Sequence, residues 1–162
     1  MTVARPRPCS IANSLAVIGE RWSLLALREV FFGVRRFDRI AANTGASRDI
    51  LTARLKKLVE NGVLAKELYQ AHPPRYEYTL TEAGLALHPV LLALKEWGDH
   101  YVTEGEPPTV FRHDCGAVLH PRTVCDACSR PVPPDSARAV RIGGVPQHSA
   151  ADSPGAPSPT DT

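Results

Sequence analysis

No stretch of the 162-residue sequence approaches the ~20 consecutive apolar residues that a membrane-spanning helix requires. The first residues, MTVARPRPC, are basic and rich in proline, and no apolar run follows them directly, so they do not predict a signal peptide. These two absences predict a cytoplasmic protein with no membrane partner. A hydrophobic content of 43% is enough for a core, and a chain of this length is typical of one domain with appendages.

The sequence also lacks the residue patterns of common enzyme sites. It has no glycine-rich phosphate loop, no spacing of nucleophile, base and acid, and no paired carboxylates in a cleft-like context. His72, His88 and His100 are scattered and are better explained as surface or packing residues. A redox enzyme built on the Cys-x-x-Cys pair is the remaining enzymatic alternative, but no βαβ pattern surrounds that pair. The sequence therefore favours a protein that is not an enzyme.

Cysteine is scarce and the net charge is small. The four cysteines are not expected to form structural disulfides in a reducing compartment. The net charge of +2 indicates little by itself, but nine basic residues lie between Arg35 and Arg75 against four acidic ones. Such a local excess is typical of a segment that contacts phosphates, and a solvated basic surface is the alternative.

The most informative stretch runs from Ser47 to Tyr78. Its first half, SRDILTARLKKLVENG, predicts a helix that Ser47 caps and Gly62 ends. Leucines at helical spacing form its core-facing side, and polar residues form the opposite side. Its second half, LAKELYQAHPPRYEYTL, alternates apolar and polar residues around a proline-rich tip, as an antiparallel hairpin does. The core-facing leucines are Leu51, Leu55 and Leu58.

Further helices are predicted on both sides of this stretch. IANSLAVIG and ERWSLLALREVFFG predict two helices, the second with Trp22 as a core anchor. FDRIAANTG predicts a short third helix, and Gly45 makes the tight turn of a helix-turn-helix unit. TEAGLALHPVLLALKEWGDHYV predicts one long amphipathic helix, kinked near its start by Pro89. The predicted fold is mainly α with a small β-hairpin wing, a winged helix-turn-helix.

The composition divides the chain into four segments. Residues 1–8 are predicted to form a flexible N-terminal arm and residues 9–104 the winged-helix domain. Residues 110–134 are a short appendage that contains Cys and His. Residues 142–162 are small, polar and rich in proline, which predicts a disordered tail.

Blocks of this sequence resemble the HxlR-type transcriptional regulators, winged-helix proteins related to the MarR class. The resemblance lies in Cys9 with the helix that follows it, in IGERWSLLALREVFFGVRRFDRI, in SRDILTARLKKLVENGVL, and in PPRYEYTLTEAG with the later LKEWGD. It implies a homodimer, formed largely by the N-terminal and long C-terminal helices, that binds a pseudo-palindromic operator in double-stranded DNA. Repression is the family's more common action and is the default expectation. Independently, the last helix offers more apolar surface than a small wing needs, at Leu87, Leu91, Leu94 and Trp97.

In a winged-helix dimer, the helix after Ser47 enters the major groove and the wing reaches the adjacent minor groove or backbone. Basic side chains and threonine can contact base edges or phosphates, and Ser47 can cap the helix or bind a phosphate. Asp49 can accept from cytosine or simply favour the helix N-terminus. Arg54 lies closer to the apolar side, which predicts a backbone or intramolecular contact. The candidate DNA-binding residues are Arg36, Ser47, Arg48, Asp49, Thr52, Lys56 and Arg75.

Cys9 is a candidate sensor of oxidants or electrophiles. It lies just before a helix, where backbone N–H groups and the helix dipole favour a thiolate. Several HxlR-type regulators sense such compounds through a cysteine in this place, so the resemblance implies a thiol switch, whereas other members respond to small ligands. A cysteine that merely packs the first helix as a small apolar residue is the alternative.

The appendage FRHDCGAVLHPRTVCDACSRPVPP contains a candidate structural zinc site. A Cys-x-x-Cys pair and a His-x-Cys pair supply four ligands, enough for a tetrahedral site, although residues two apart on a strand point to opposite faces. His120 is a substitute for His113, and free or oxidised thiols in a flexible tail are the alternative. No other cofactor is expected. The candidate ligands are His113, Cys115, Cys125 and Cys128.

A winged helix used for protein-protein contact, with a zinc-ribbon-like tail and no operator of its own, is the main alternative function. Such adaptors usually lack basic residues on the wing and on the outward side of the helix. Both surfaces are basic here, which favours a DNA-binding regulator.

Overall fold

The computed structural model describes residues 7–142 and 145–146. The predicted arm (1–8) and the predicted tail (142–162) lie almost entirely outside these residues. The described residues divide into two compact units, residues 11–122 and a second unit from residues 7–10, 123–142 and 145–146. Across the described residues, no helix combines the length and the apolar character needed to cross a membrane.

The described residues form helices, a hairpin and a pair of two-residue strands. The hairpin separates four N-terminal helices from two C-terminal ones. In chain order, the elements are α1 (Ser10–Ile18), α2 (Arg21–Phe31), α3 (Phe37–Thr44), α4 (Arg48–Glu60), β1 (Leu64–Gln70), β2 (Arg75–Leu80), α5 (Glu82–Leu85), α6 (His88–Tyr101), β3 (Arg141–Ile142) and β4 (Val145–Pro146).

Helices α3 and α4 form the predicted helix-turn-helix. Gly45 joins them with φ of +74°, in the left-handed region that glycine enters without strain. The Ser47 hydroxyl accepts a hydrogen bond from the Ile50 N–H at 3.4 Å, which confirms the predicted cap of α4. Helix α4 ends at Glu60, just before Gly62, which also has a positive φ. Local signals therefore set both ends of α4.

The hydrophobic core of the unit formed by residues 11–122 is built mainly by α2 and α4. The three predicted leucines of α4 are fully buried, as is Leu27 of α2. Trp22 is half-buried and packs against this cluster, which confirms its predicted role as an anchor. Because the leucines hold one side of α4 inside, its opposite side is turned to solvent.

Strands β1 and β2 form the predicted antiparallel wing. Leu64 pairs with Leu80 at the base, and the register shifts between Leu68 and Gln70 near the tip. The chain just before α3 is attached to the wing, since the Tyr78 N–H donates to the Arg35 carbonyl at 2.9 Å. The wing is thereby fixed against the start of the helix-turn-helix.

The prediction of one long C-terminal helix is wrong. The segment forms the short helix α5 and the separate helix α6, and Pro89 lies in the first turn of α6. A proline lacks an N–H, which is no loss in a first turn because that N–H would have no partner within the helix. Pro89 therefore starts a helix where the sequence predicted that it kinks one.

Gly84 in α5 lies against the backbone at the base of the wing. A methyl group added there would lie 2.3 Å from the Val63 carbonyl oxygen, whereas one added at Gly98 in α6 would meet nothing within 4 Å. We expect Gly84→Ala to lower the free energy of unfolding by about 1–3 kcal/mol, the usual effect of overpacking. Gly98→Ala should raise it by up to about 1 kcal/mol through helix propensity. Urea unfolding followed by circular dichroism measures both, and equal midpoints would contradict the contact at Gly84.

Candidate nucleic-acid interface

A groove of about 790 Å³ is lined by α3, the exposed side of α4 and the wing. Basic side chains dominate its charge, because five of them are present with one acidic residue. A concave surface of one sign of charge concentrates a polyanion such as DNA. The charged residues of this basic groove are Arg36, Arg39, Arg48, Lys66, Arg75 and Asp38.

The basic groove contains four of the seven predicted DNA-binding residues. Two come from α4, one from the segment before α3 and one from the wing. The other three lie outside the lining but are also exposed, on α4 or at its cap. Those in the groove are Arg36, Arg48, Thr52 and Arg75, and those outside it are Ser47, Asp49 and Lys56.

The outward side of α4 is open to solvent. Thr52 and Ala53 are exposed, and so is Lys56, one turn after Thr52. Lys56 Nζ lies 3.6 Å from Glu60 Oε1, and the lysine side chain is 72% exposed. An exposed pair four residues apart is worth only about 0.3–0.5 kcal/mol, so Lys56 can readily exchange Glu60 for a phosphate.

Arg48 is held in place by two neighbours on α3. Its Nη1 lies 2.7 Å from Asp38 Oδ1, and its guanidinium lies 4.8 Å from the centre of the Phe37 ring. Both partners of the ion pair are strongly exposed. The pair is therefore weak, and it positions the guanidinium in the groove without burying it.

Arg36 connects the helix-turn-helix to both strands of the wing. Its Nε lies 3.3 Å from Glu77 Oε1 on β2, and its guanidinium lies 4.8 Å from the centre of the Tyr69 ring on β1. A structural contact thus accompanies the predicted role as a phosphate anchor.

Arg75 differs from the other two arginines. It is exposed at the start of β2, next to Pro74 at the tip of the wing. Within the described part of the chain, its guanidinium has no ion pair or cation–π partner. It is the wing cation most available to an external anion.

The structure adds residues that the sequence analysis did not single out. Arg39 and Lys66 line the groove, and Lys66 Nζ lies 4.0 Å from the centre of the Tyr76 ring. The alternation of side chains along the hairpin was a usable signal, since it places Lys66 and Tyr76 on the same face of the wing. Arg54, in contrast, makes the predicted intramolecular contact: its Nη1 lies 3.7 Å from Glu20 Oε1.

Residues 17–106 match the family described as HxlR-like helix-turn-helix. The chain belongs to this family. An uncharacterized HTH-type transcriptional regulator, Rv3095 of Mycobacterium tuberculosis (strain H37Rv), is 44% identical over 125 residues, which cover 76% of this chain and 79% of the relative. The match confirms the resemblance seen in the sequence and identifies the chain as a helix-turn-helix transcriptional regulator.

Solved structures confirm the winged-helix fold of this HxlR-like protein. PA1607, described as a candidate transcription factor, has a TM-score of 0.72 and 34% identity, covering 82% of this chain and 94% of that one. The redox regulator HypR in its reduced form has a TM-score of 0.52 and 31% identity, covering 57% of this chain and 92% of that one.

The cysteines of the HxlR-like protein are all unpaired and exposed. Cys9 immediately precedes α1. Cys125 and Cys128 share a turn, in which hydrogen bonds from the backbone and side chain of Arg130 and one with Cys125 lower the pKa of the Cys128 thiol. The Cys115 N–H donates to Nδ1 of His113 at 3.2 Å. Among the described residues, no group of three or more His, Cys, Asp or Glu is placed to hold a metal ion, and the zinc site stays a prediction.

Proposed function

We propose that this HxlR-like regulator binds a pseudo-palindromic DNA operator as a homodimer and acts as a repressor. The observation that carries the proposal is the basic groove, which joins the open side of α4 to the wing. In this arrangement α4 enters the major groove, and the wing contacts the adjacent minor groove or backbone.

The candidate DNA-binding side chains differ in whether their position lets them contact base edges or phosphates. Thr52 and Lys56 lie one turn apart on the open side of α4 and meet base edges or nearby phosphates. Arg48 exchanges its exposed partner Asp38 for a guanine edge or a phosphate. Arg75 contacts the backbone beside the wing. Arg36 holds the wing at the correct distance from α4.

The homodimer is supported by apolar side chains that the single chain leaves exposed. Helix α6 carries an exposed row at intervals of three and four residues, so the row follows one side of the helix. Two residues of α1, Ile11 and Leu15, are also more than half exposed. A second copy related by two-fold symmetry covers such a surface and presents two α4 helices to successive half-sites. The row, called the α6 stripe below, is Val90, Leu94, Trp97 and Tyr101.

Arg75→Ala should weaken operator binding by a similar factor for every operator variant, because a phosphate contact carries little base preference. The slope of log affinity against log salt should fall by about one, the contribution of one released counterion. Fluorescence anisotropy at several KCl concentrations, on a fragment first located by footprinting upstream DNA, measures both quantities.

The matched control for Arg75→Ala is Arg122→Ala, which removes an exposed arginine outside the groove. The control should leave affinity and slope near the wild-type values. Identical slopes for Arg75→Ala and Arg122→Ala would remove the wing from the interface. A protein-protein adaptor, the alternative function, would give no footprint and no steep salt dependence.

The regulator is switched at Cys9 by an oxidant or electrophile. Cys9 is exposed and immediately precedes α1, which contributes Ile11 and Leu15 to the proposed dimer surface. Modification of the thiol adds bulk or charge where α1 begins and so alters the spacing of the two α4 helices. The redox regulator HypR is a structural relative, which supports this assignment.

Benzoquinone or peroxide should lower the operator affinity of the wild type and leave Cys9→Ser unaffected. Cys125→Ser is the matched control, because it removes another exposed thiol and should respond as the wild type does. Gel-shift titrations before and after treatment measure the change. An identical response of wild type and Cys9→Ser would rule out a switch at Cys9.

A further inference from the structure

The turn that carries Cys125 and Cys128 places two thiols side by side. The segments on either side of it are joined by a bridge between Val124 and Pro131. The two thiols are hydrogen-bonded to each other, and both residues are exposed. We infer that this thiol pair is a binding site for a single cuprous ion, Cu(I). The site goes beyond the proposed function and does not depend on operator binding.

Two thiolates are a sufficient ligand set for Cu(I). Soft sulfur ligands favour soft ions, and a singly charged ion with a filled d shell accepts two thiolates in a linear arrangement. Zinc in a structural site is almost always held by four ligands. Cys125 and Cys128 both belong to the unit that begins at residue 123. The turn by itself therefore meets the needs of Cu(I), whereas it supplies only half of a zinc site.

Backbone hydrogen bonds hold the turn in shape before an ion binds. The Cys125 carbonyl accepts from the Ser129 N–H at 2.7 Å and from the Cys128 N–H at 3.3 Å. Ser129 has a φ of +54°, in the left-handed region that residues other than glycine seldom adopt. At the base, the Val132 N–H donates to the Thr123 carbonyl at 3.0 Å. Because the turn is already fixed, capture of an ion by both sulfurs costs little conformational entropy.

Arg130 offsets the charge that the bound state acquires. Each thiol releases one proton to solvent when its sulfur binds Cu(I), so the complex of one ion and two thiolates carries one negative charge. Hydrogen bonds from the backbone and side chain of Arg130, and one with Cys125, lower the pKa of the Cys128 thiol. The guanidinium thus stabilises the thiolate before binding and compensates the charge of the complex afterwards. Neither sulfur nor copper changes its oxidation state.

A hollow of about 710 Å³ adjoins both cysteines. Apart from Arg130 and Ser136, the other residues that line it are apolar. Apolar walls limit the approach of water and of hard oxygen ligands, which favours a soft ion over Mg²⁺ or Ca²⁺. The apolar residues are Pro131, Val132, Pro133 and Ala137.

Anaerobic titration of the reduced full chain with Cu(I), without DNA, tests the site. Alkylation with iodoacetamide followed by mass mapping then reports which sulfurs the ion covers. We expect one ion per chain, with Cys125 and Cys128 protected. Cys9 and Cys115 are the matched controls, because they are also exposed and should be alkylated as in the metal-free protein. Equal alkylation of all four cysteines, or protection of Cys9 or Cys115, would overturn the site.

Variants and X-ray absorption count the ligands independently. At a concentration of the chelator bathocuproine disulfonate that leaves the wild type loaded, Cys128→Ser should lose its Cu(I) and Cys115→Ser should keep it. The absorption spectrum of the loaded wild type should show two sulfur neighbours. Three or more sulfur neighbours, or equal loss of copper from Cys115→Ser, would overturn the two-ligand site. One Zn²⁺ per chain that also protects Cys115 would assign the pair to the four-ligand zinc site and overturn it as well.

Discussion

Trp97→Asp is expected to turn the proposed dimer into a monomer and to lower operator affinity at least about a hundredfold, because the linked second half-site is lost. Trp97 is 55% exposed near the middle of the α6 stripe, and its ring centroid lies 5.8 Å from that of Tyr101. In a dimer this surface would be dry, and a carboxylate placed there would lose its hydration without gaining a partner. The folded single chain does not bury this position, so the variant should still fold.

Size-exclusion chromatography with light scattering gives the mass, and gel-shift titration gives the affinity. Leu85→Asp is the matched control, since Leu85 is 57% exposed on α5 and lies outside the α6 stripe. It should remain a dimer and bind as the wild type does. A Trp97→Asp protein that stays dimeric would place the dimer interface elsewhere.

Leu55→Ala is expected to lower the free energy of unfolding by about 2–5 kcal/mol, the range for truncating a fully buried leucine. Leu55 has no exposed surface, and it lies between Leu51 and Leu58 on the side of α4 that packs on the core. Domains of this size are stable by only about 5–15 kcal/mol, so the loss is a large fraction of the total. The position of α4, and with it the basic groove, depends on this packing.

Urea unfolding at one fixed protein concentration measures the loss, because the proposed dimerisation would make the midpoint depend on concentration. Leu68→Ala, the same truncation at a leucine 54% exposed on the wing, should stay within about 0.5 kcal/mol of the wild type. If Leu55→Ala unfolds at the same urea concentration as Leu68→Ala, then α4 is not held by this leucine.

Most of the fold was predictable because its signals are local. The capping Ser47, the turn at Gly45 and the spacing of the leucines fix α4 within a few residues along the chain. Pro89 was misjudged because proline is compatible both with a kink inside a helix and with the first turn of a new one. That choice depends on the packing around the start of α6, which periodicity does not report.

The candidate DNA-binding residues could be chosen from the sequence by residue type, but their contacts within the chain could not. The basic excess and the open side of α4 are visible in the sequence. The contacts of Arg36 with Glu77 and of Arg48 with Asp38 join different elements of the fold, so only the folded structure shows them. Glu29 illustrates the same point, because its burial and its bond to Asn43 cannot be inferred from an acid within a helix.

By itself, the sequence determined most of the secondary structure, the family and the local excess of basic charge, since these follow from hydrophobic spacing, caps and the placement of charge. The tertiary structure decided which side chains share the basic groove, which apolar residues stay uncovered on α1 and α6, and that Glu29 of α2 is buried and hydrogen-bonded to Asn43 of α3. The physical reason is one of range: propensity and periodicity act over a few residues, whereas a groove, an exposed stripe and a buried carboxylate arise from elements that meet only after folding.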